Sequence, residues 1–133
     1  MRTELSEKSK YYVNKHRRLE LMHRCRQYPD WVKAYNTIDQ MISKGIIRPT
    51  RGSAKTDPVM KYVLARDHYY RKMKPIEDTA IEADEELARY ILKGVTEGVS
   101  YDVMNANDPI PCSRDTYYDR YRRFFFLLDK TLD

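Results

Sequence analysis

Apolar side chains return at helical spacing along most of this chain, most clearly in its last third. Over residues 85–96, Leu87, Ile91 and Val95 fall at i, i+4 and i+8, one stripe of a helix. Gly98 is expected to stop that helix, and Ser100 is placed to cap a second, short one through Ala106. Asn107-Asp108-Pro109-Ile110-Pro111 cannot be helical throughout, because each proline biases the residue before it toward extended backbone. Ser113 then caps a third helix, from Arg114 to about Lys130. On it Tyr117, Tyr121, Phe124, Phe125 and Leu128 share one arc of roughly 100°. Arg122 and Arg123 are expected to project away from that arc, with Arg120 on its flank.

Upstream, residues 9–27 contain no helix breaker before Pro29, but their apolar positions are scattered and their lysines and arginines lie all round. Asp30 is the expected cap of the next helix, Trp31 to Lys44, ended by Gly45. Its stripe, Trp31, Tyr35, Ile38 and Ile42, is well defined, and Trp31 reads as a core anchor. The two helices together predict an N-terminal helical hairpin over 1–47, turned at Tyr28-Pro29-Asp30. Residues 48–56 are basic and linker-like. Asp57-Pro58 reads as a cap followed by a first-turn proline, opening a long helix over 57–83 that Pro75 kinks or splits. The fold class is therefore all-α: hairpin, linker, long kinked helix, and a C-terminal helix-turn-helix over 84–133.

Composition supports that class and narrows the chemistry. Only 4 Gly and 6 Pro in 133 residues argue against a many-turned β protein. No apolar run approaches the roughly 20 residues that would span a bilayer. The first residues lack a signal-peptide core, so a cytoplasmic location is expected, with Cys25 and Cys112 as free thiols. No metal site is expected, because the cysteines and histidines lack zinc-ligand spacing. No convergent set of reactive groups is visible either, so neither catalysis nor a cofactor is expected. Glu85 and Glu86 read as first-turn acids.

The net charge is +5, unevenly spread. Residues 1–28 carry eight Lys or Arg against three Glu, whereas residues 84–133 carry seven against ten acids. A basic chain fits a nucleic-acid partner. Two short helices, a tight turn and a third helix with outward arginines is the layout of a DNA reader. The candidate DNA-contacting residues are Ser113, Arg114, Thr116, Tyr118, Arg120, Arg122 and Arg123. Arginine suits guanine or phosphate, and threonine a thymine methyl or a polar base edge. Asp115 and Asp119 share the outer face and would repel phosphate unless paired with Arg122 or Arg123 at helical spacing. Phe126 also points outward and marks an oligomer or partner contact; together with the long helices it suggests a homodimer. The rival reading is a helical protein–protein interaction module.

The runs Tyr90-Ile91-Leu92-Lys93-Gly94-Val95-Thr96-Glu97-Gly98-Val99-Ser100-Tyr101 and Ile110-Pro111-Cys112-Ser113-Arg114-Asp115-Thr116-Tyr117-Tyr118-Asp119-Arg120-Tyr121-Arg122-Arg123-Phe124-Phe125 resemble the C-terminal unit of RinA/ArpU-type phage transcriptional regulators. That unit is in turn similar to the DNA-binding region 4 of sigma factors. The resemblance implies double-stranded DNA as partner, host RNA polymerase as a second one, and regulation of the late or packaging genes of a prophage or mobile element. If the chain instead takes the interaction-module role, the same setting implies a packaging or assembly adaptor, or a polymerase-binding factor.

Overall fold

The computed structural model describes residues 7–47 and 57–132, and among them every regular element is helical. The six helices are α1 (Lys15–Arg26), α2 (Tyr28–Ser43), α3 (Pro58–Ala83), α4 (Ala88–Glu97), α5 (Tyr101–Asn107) and α6 (Arg114–Thr131). The chain is all-α, as its periodicity indicates. The linker expected at 48–56 lies outside the described residues. Among the described residues no helix is long and apolar enough to cross a membrane.

Local chemistry accounts for the helix boundaries, including those that differ from expectation. α1 starts at Lys15 and not near Ser9, because the Asn14 carboxamide oxygen accepts the His16 amide at 3.0 Å and caps it there. α2 starts at Tyr28, so Asp30 is a first-turn acid and not the cap. Pro29 fits that first turn, where its missing N–H would have had no helical partner. Gly45 ends α2 with φ +66°, its amide bonding the Ile42 carbonyl while Ile46 bonds that of Met41. This is the paired bonding of a Schellman motif. The Asp57 carboxylate caps α3 through the Val59 amide at 3.0 Å. α3 runs through Pro75 as one helix. α4 starts later than its stripe suggested. The Asp84 carboxylate accepts the Leu87 amide at 3.0 Å, which places Glu85 and Glu86 in a turn ahead of the helix. Ser100 and Ser113 cap α5 and α6 as expected, accepting the Val103 and Thr116 amides at 3.3 and 3.2 Å.

Two compact units divide the chain, residues 1–27 with 75–133 and residues 28–74, and α3 contributes to both. In the first, α1 packs on α4 and α6, α4 packs on α6, and α5 packs on α6. Its core is formed by Leu21 and Cys25 of α1, Ile76 and Ala80 of α3, Ile91 and Val95 of α4, and Tyr117, Phe124 and Leu128 of α6, all nearly or fully buried. α1, expected as the first arm of an N-terminal hairpin, thus belongs to the unit that holds the C-terminal helices. Its scattered apolar residues form no clean stripe, because α1 buries only Leu21 and Cys25 among them. In the second unit, Tyr35 and Tyr70 meet ring to ring at 6.3 Å. Arg66 pairs with Asp39 at 2.7 Å, and the Lys72 ammonium sits over the Trp31 ring.

Candidate nucleic-acid interface

The helix–turn–helix stretch is held by tyrosines. The Tyr101 hydroxyl donates to the Cys112 carbonyl at 2.7 Å, tying the start of α5 to the end of the turn. The Tyr101 amide donates to the Tyr118 hydroxyl at 3.3 Å, fixing α5 against the second turn of α6. Within the turn, the Asn105 side chain accepts the Ile110 amide at 2.9 Å and Ile110 is buried. The Tyr90 hydroxyl donates to the Pro109 carbonyl at 3.3 Å, and Arg89 pairs with Asp108 at 3.2 Å. Two prolines therefore sit in a turn where side chains bond the Pro109 and Cys112 carbonyls and the Ile110 amide, while the Asp108 and Cys112 amides bond the Met104 and Ile110 carbonyls, which makes it rigid.

Below the turn, Tyr117 fills the space over Gly94. A methyl group at Gly94 would lie 2.2 Å from the Tyr117 hydroxyl, so only glycine lets α4 and α6 approach this closely. The Tyr117 ring touches those of Tyr101, Tyr118 and Tyr121 at 5.0–6.1 Å. Burial raises the Tyr117 and Tyr121 phenol pKa values above their ordinary range, so both stay protonated, and the Tyr117 hydroxyl donates to the Tyr90 carbonyl at 3.4 Å. The five residues expected on the inner arc of α6 are all buried.

The candidate DNA residues separate into two sets. Ser113, Arg114 and Thr116 are exposed at the start of α6, and Tyr118 is half-buried beside them. The Ser113 hydroxyl is already engaged, accepting the Thr116 amide and donating to the Thr116 hydroxyl at 3.0 Å. Arg114 lies 3.5 Å from Asp102 of α5, with both side chains open to solvent. Arg122, half-buried one turn beyond Tyr118, makes no hydrogen bond or ion pair within the described residues.

Arg120 and Arg123 go elsewhere. Arg120 approaches Asp84 at 3.4 Å and Asp119 at 3.6 Å. Its Nε is buried without a hydrogen bond, so the Asp84 charge compensates it through space. Arg123, expected to face outward, turns its Nε to the Ala83 carbonyl at 3.2 Å. That carbonyl is an unsatisfied acceptor at the end of α3, where a cation is favoured. Asp119 thus neutralises Arg120 and not Arg122 or Arg123. Phe126, expected as an exposed contact, is half-buried, with Tyr11 5.8 Å away and the Lys130 ammonium 4.2 Å over its ring.

One basic residue at this corner is invisible to local pattern. Arg26, in the last turn of α1, donates to the Val95 carbonyl at 3.3 Å, and its guanidinium occupies the space where a side chain at Gly98 would sit. It places a cation at the end of α4, two residues before the cap of α5. Among the described residues, no group of three His, Cys, Asp or Glu side chains is placed to hold a metal ion. Comparison with protein-family models, with curated proteins and with solved structures returns no match.

Proposed function

We propose that the chain is a non-enzymatic, DNA-binding transcriptional regulator of a prophage or mobile element, acting in the cytoplasm and reading duplex DNA with the first two turns of α6. One observation carries the reading: α6 buries a full apolar arc yet leaves its first turn, Ser113 to Thr116, exposed. A helix seated by one face and open at its N-terminal end, behind a shorter helix and a rigid turn, is the geometry that enters a major groove. In this reading Arg114, Thr116 and Tyr118 approach base edges and Arg122 meets a phosphate, with Ser113 fixing the entry of the helix. Arg120 and Arg123 serve by seating α6 on the end of α3. The Arg114–Asp102 pair, being solvent-exposed, is weak enough to exchange for a phosphate or a guanine. Host RNA polymerase is the second partner that the resemblance to RinA/ArpU-type regulators suggests.

The experiment is titration of the full chain with duplex DNA flanking its own gene at two salt concentrations. Wild type should bind with a log–log salt slope near −0.9 per phosphate contact. Arg122→Ala should weaken binding to all sequences and flatten the slope by about one contact, whereas Arg114→Ala should relax specificity. A folded protein that binds no duplex at low salt would retire the reading in favour of the interaction module. That alternative draws support from the inward engagement of Arg120 and Arg123.

A further inference from the structure

The unit of residues 28–74 is built unlike the other. Among the described residues it contributes only Trp31 and Met73 to the buried apolar set, and it holds four of the six exposed large hydrophobic residues. These are Ile46 at 65%, Leu64 at 62%, Met60 at 55% and Tyr70 at 44% exposure. An open groove of about 480 Å³ lies between its helices, lined by Tyr35, Val63, Leu64, Arg66, Asp67 and Tyr70. The charge is as distinctive. Residues 28–74 carry ten Lys or Arg against four Asp and no Glu, a net +6, while the rest of the chain, with fifteen against sixteen, is −1. Lys61 and Arg71, both exposed, flank Leu64 at i−3 and i+7 on the same helix; Arg71 pairs with Asp67 at 2.8 Å, and that pair, open to solvent, is weak enough to exchange for a partner's carboxylate.

We infer that this groove is a docking site for an acidic, amphipathic helix of a partner protein, with leucine-type side chains against Leu64, Val63 and Tyr70 and carboxylates toward Lys61 and Arg71. Exposed apolar area on this scale, rimmed by polar groups, marks an interaction surface, and a helix laid in a groove is a standard way to cover it. The charge selects among occupants. A second copy would set one +6 unit against another, which like-charge repulsion opposes. A phosphate backbone would satisfy the lysines and leave Met60 and Leu64 in water. This site goes beyond the DNA reading and does not rest on it.

The test uses the isotope-labelled full chain and three probes. They are a synthetic helical peptide with Leu at i, i+3, i+4 and i+7 and Glu elsewhere, the same peptide with Lys for Glu, and phosphatidylglycerol vesicles. The acidic peptide should shift the Met60, Val63 and Leu64 methyl resonances and bind at least tenfold tighter than its lysine counterpart. Leu64→Glu, and separately Lys61→Glu/Arg71→Glu, should each cost at least tenfold in affinity with helicity unchanged, since these side chains are exposed. Equal binding of both peptides, absence of acidic-peptide binding, vesicle binding through the same methyl groups, or a concentration-dependent dimer that shields them would each overturn the assignment. None of these readouts changes if duplex binding through α6 fails.

Discussion

Cys25 and Cys112 show how burial sets chemistry one side chain at a time. Cys25 is fully buried, and desolvation pushes its thiol up to about 12, although Arg26 and Arg24 pull the other way. Cys112 is only partly covered; burial, with the Asp84 and Glu86 charges adding to it, raises its thiol as well. A thiol reagent near pH 8 should therefore modify Cys112 slowly in the native protein and reach Cys25 only after denaturation. A folded-state pKa above the unfolded value means the native state keeps its proton longer. The associated stability is full below the ordinary thiol value, about 8.5, and is lost as pH rises from there toward about 12. Tyr117 and Tyr121, also raised, add loss in the same direction at higher pH. The urea midpoint should fall across that window, and less steeply in a Cys25→Ala variant compared with its own neutral-pH value.

Helix ends supply a sharper test, because two glycines share a backbone state and differ in surroundings. Gly45 and Gly98 both have φ near +70°, at +66° and +71°. A methyl group at Gly45 would meet nothing within 4 Å, whereas at Gly98 it would lie 2.6 Å from the Arg26 guanidinium. Gly45→Ala should cost only the left-handed strain, about 1 kcal/mol. Gly98→Ala should cost that plus displacement of Arg26 from the Val95 carbonyl, about 2 kcal/mol in all. Equal losses in chemical denaturation would mean that Arg26 contributes nothing at the end of α4. The Gly98 position was legible in the sequence as a helix stop; its second role, making room for a guanidinium from α1, was not.

Across the whole molecule, Arg120 and Arg123 hold α6 in place while Arg122 is left for the proposed contact with DNA, and mutation should separate these roles. Arg120→Ala leaves the Asp84 carboxylate, only 23% exposed, without its cation, and should lower stability by about 1 kcal/mol after allowance for solvent screening. Arg123→Ala frees the Ala83 carbonyl and should act in the same sense. Arg122→Ala should leave thermal stability within about 0.5 kcal/mol of wild type while weakening duplex binding. Measuring melting temperature and DNA affinity on all three variants checks the division. A uniform loss of stability would mean that all three arginines are structural. The units carry unlike charge, +6 and −1, so salt should weaken peptide docking on residues 28–74 independently of its effect on DNA.

Much of the local architecture was readable before any tertiary contact was known. The five-residue apolar arc of α6, the caps at Ser100 and Ser113 and the stop at Gly98 are consequences of helical periodicity and short-range bonding, which act within about four residues. Other features depend on partners far away in the chain. α1, a helix with no clean stripe, joins the C-terminal unit by burying Leu21 and Cys25 in its core, and Arg17 reaches Asp129 across 112 residues at its edge. Arg123 looks as outward as Arg122 on a helical wheel, and Arg120 lies on the flank of the buried arc. Arg120 and Arg123 are claimed by Asp84 and Ala83 only because the end of α3 lies beside them. Phe126 reads as exposed until Tyr11 and Lys130 cover it. The spacing of residues determines which face each helix can bury; which neighbour arrives to meet the remaining faces is decided by packing, where burial of apolar surface outweighs the pattern of any single helix.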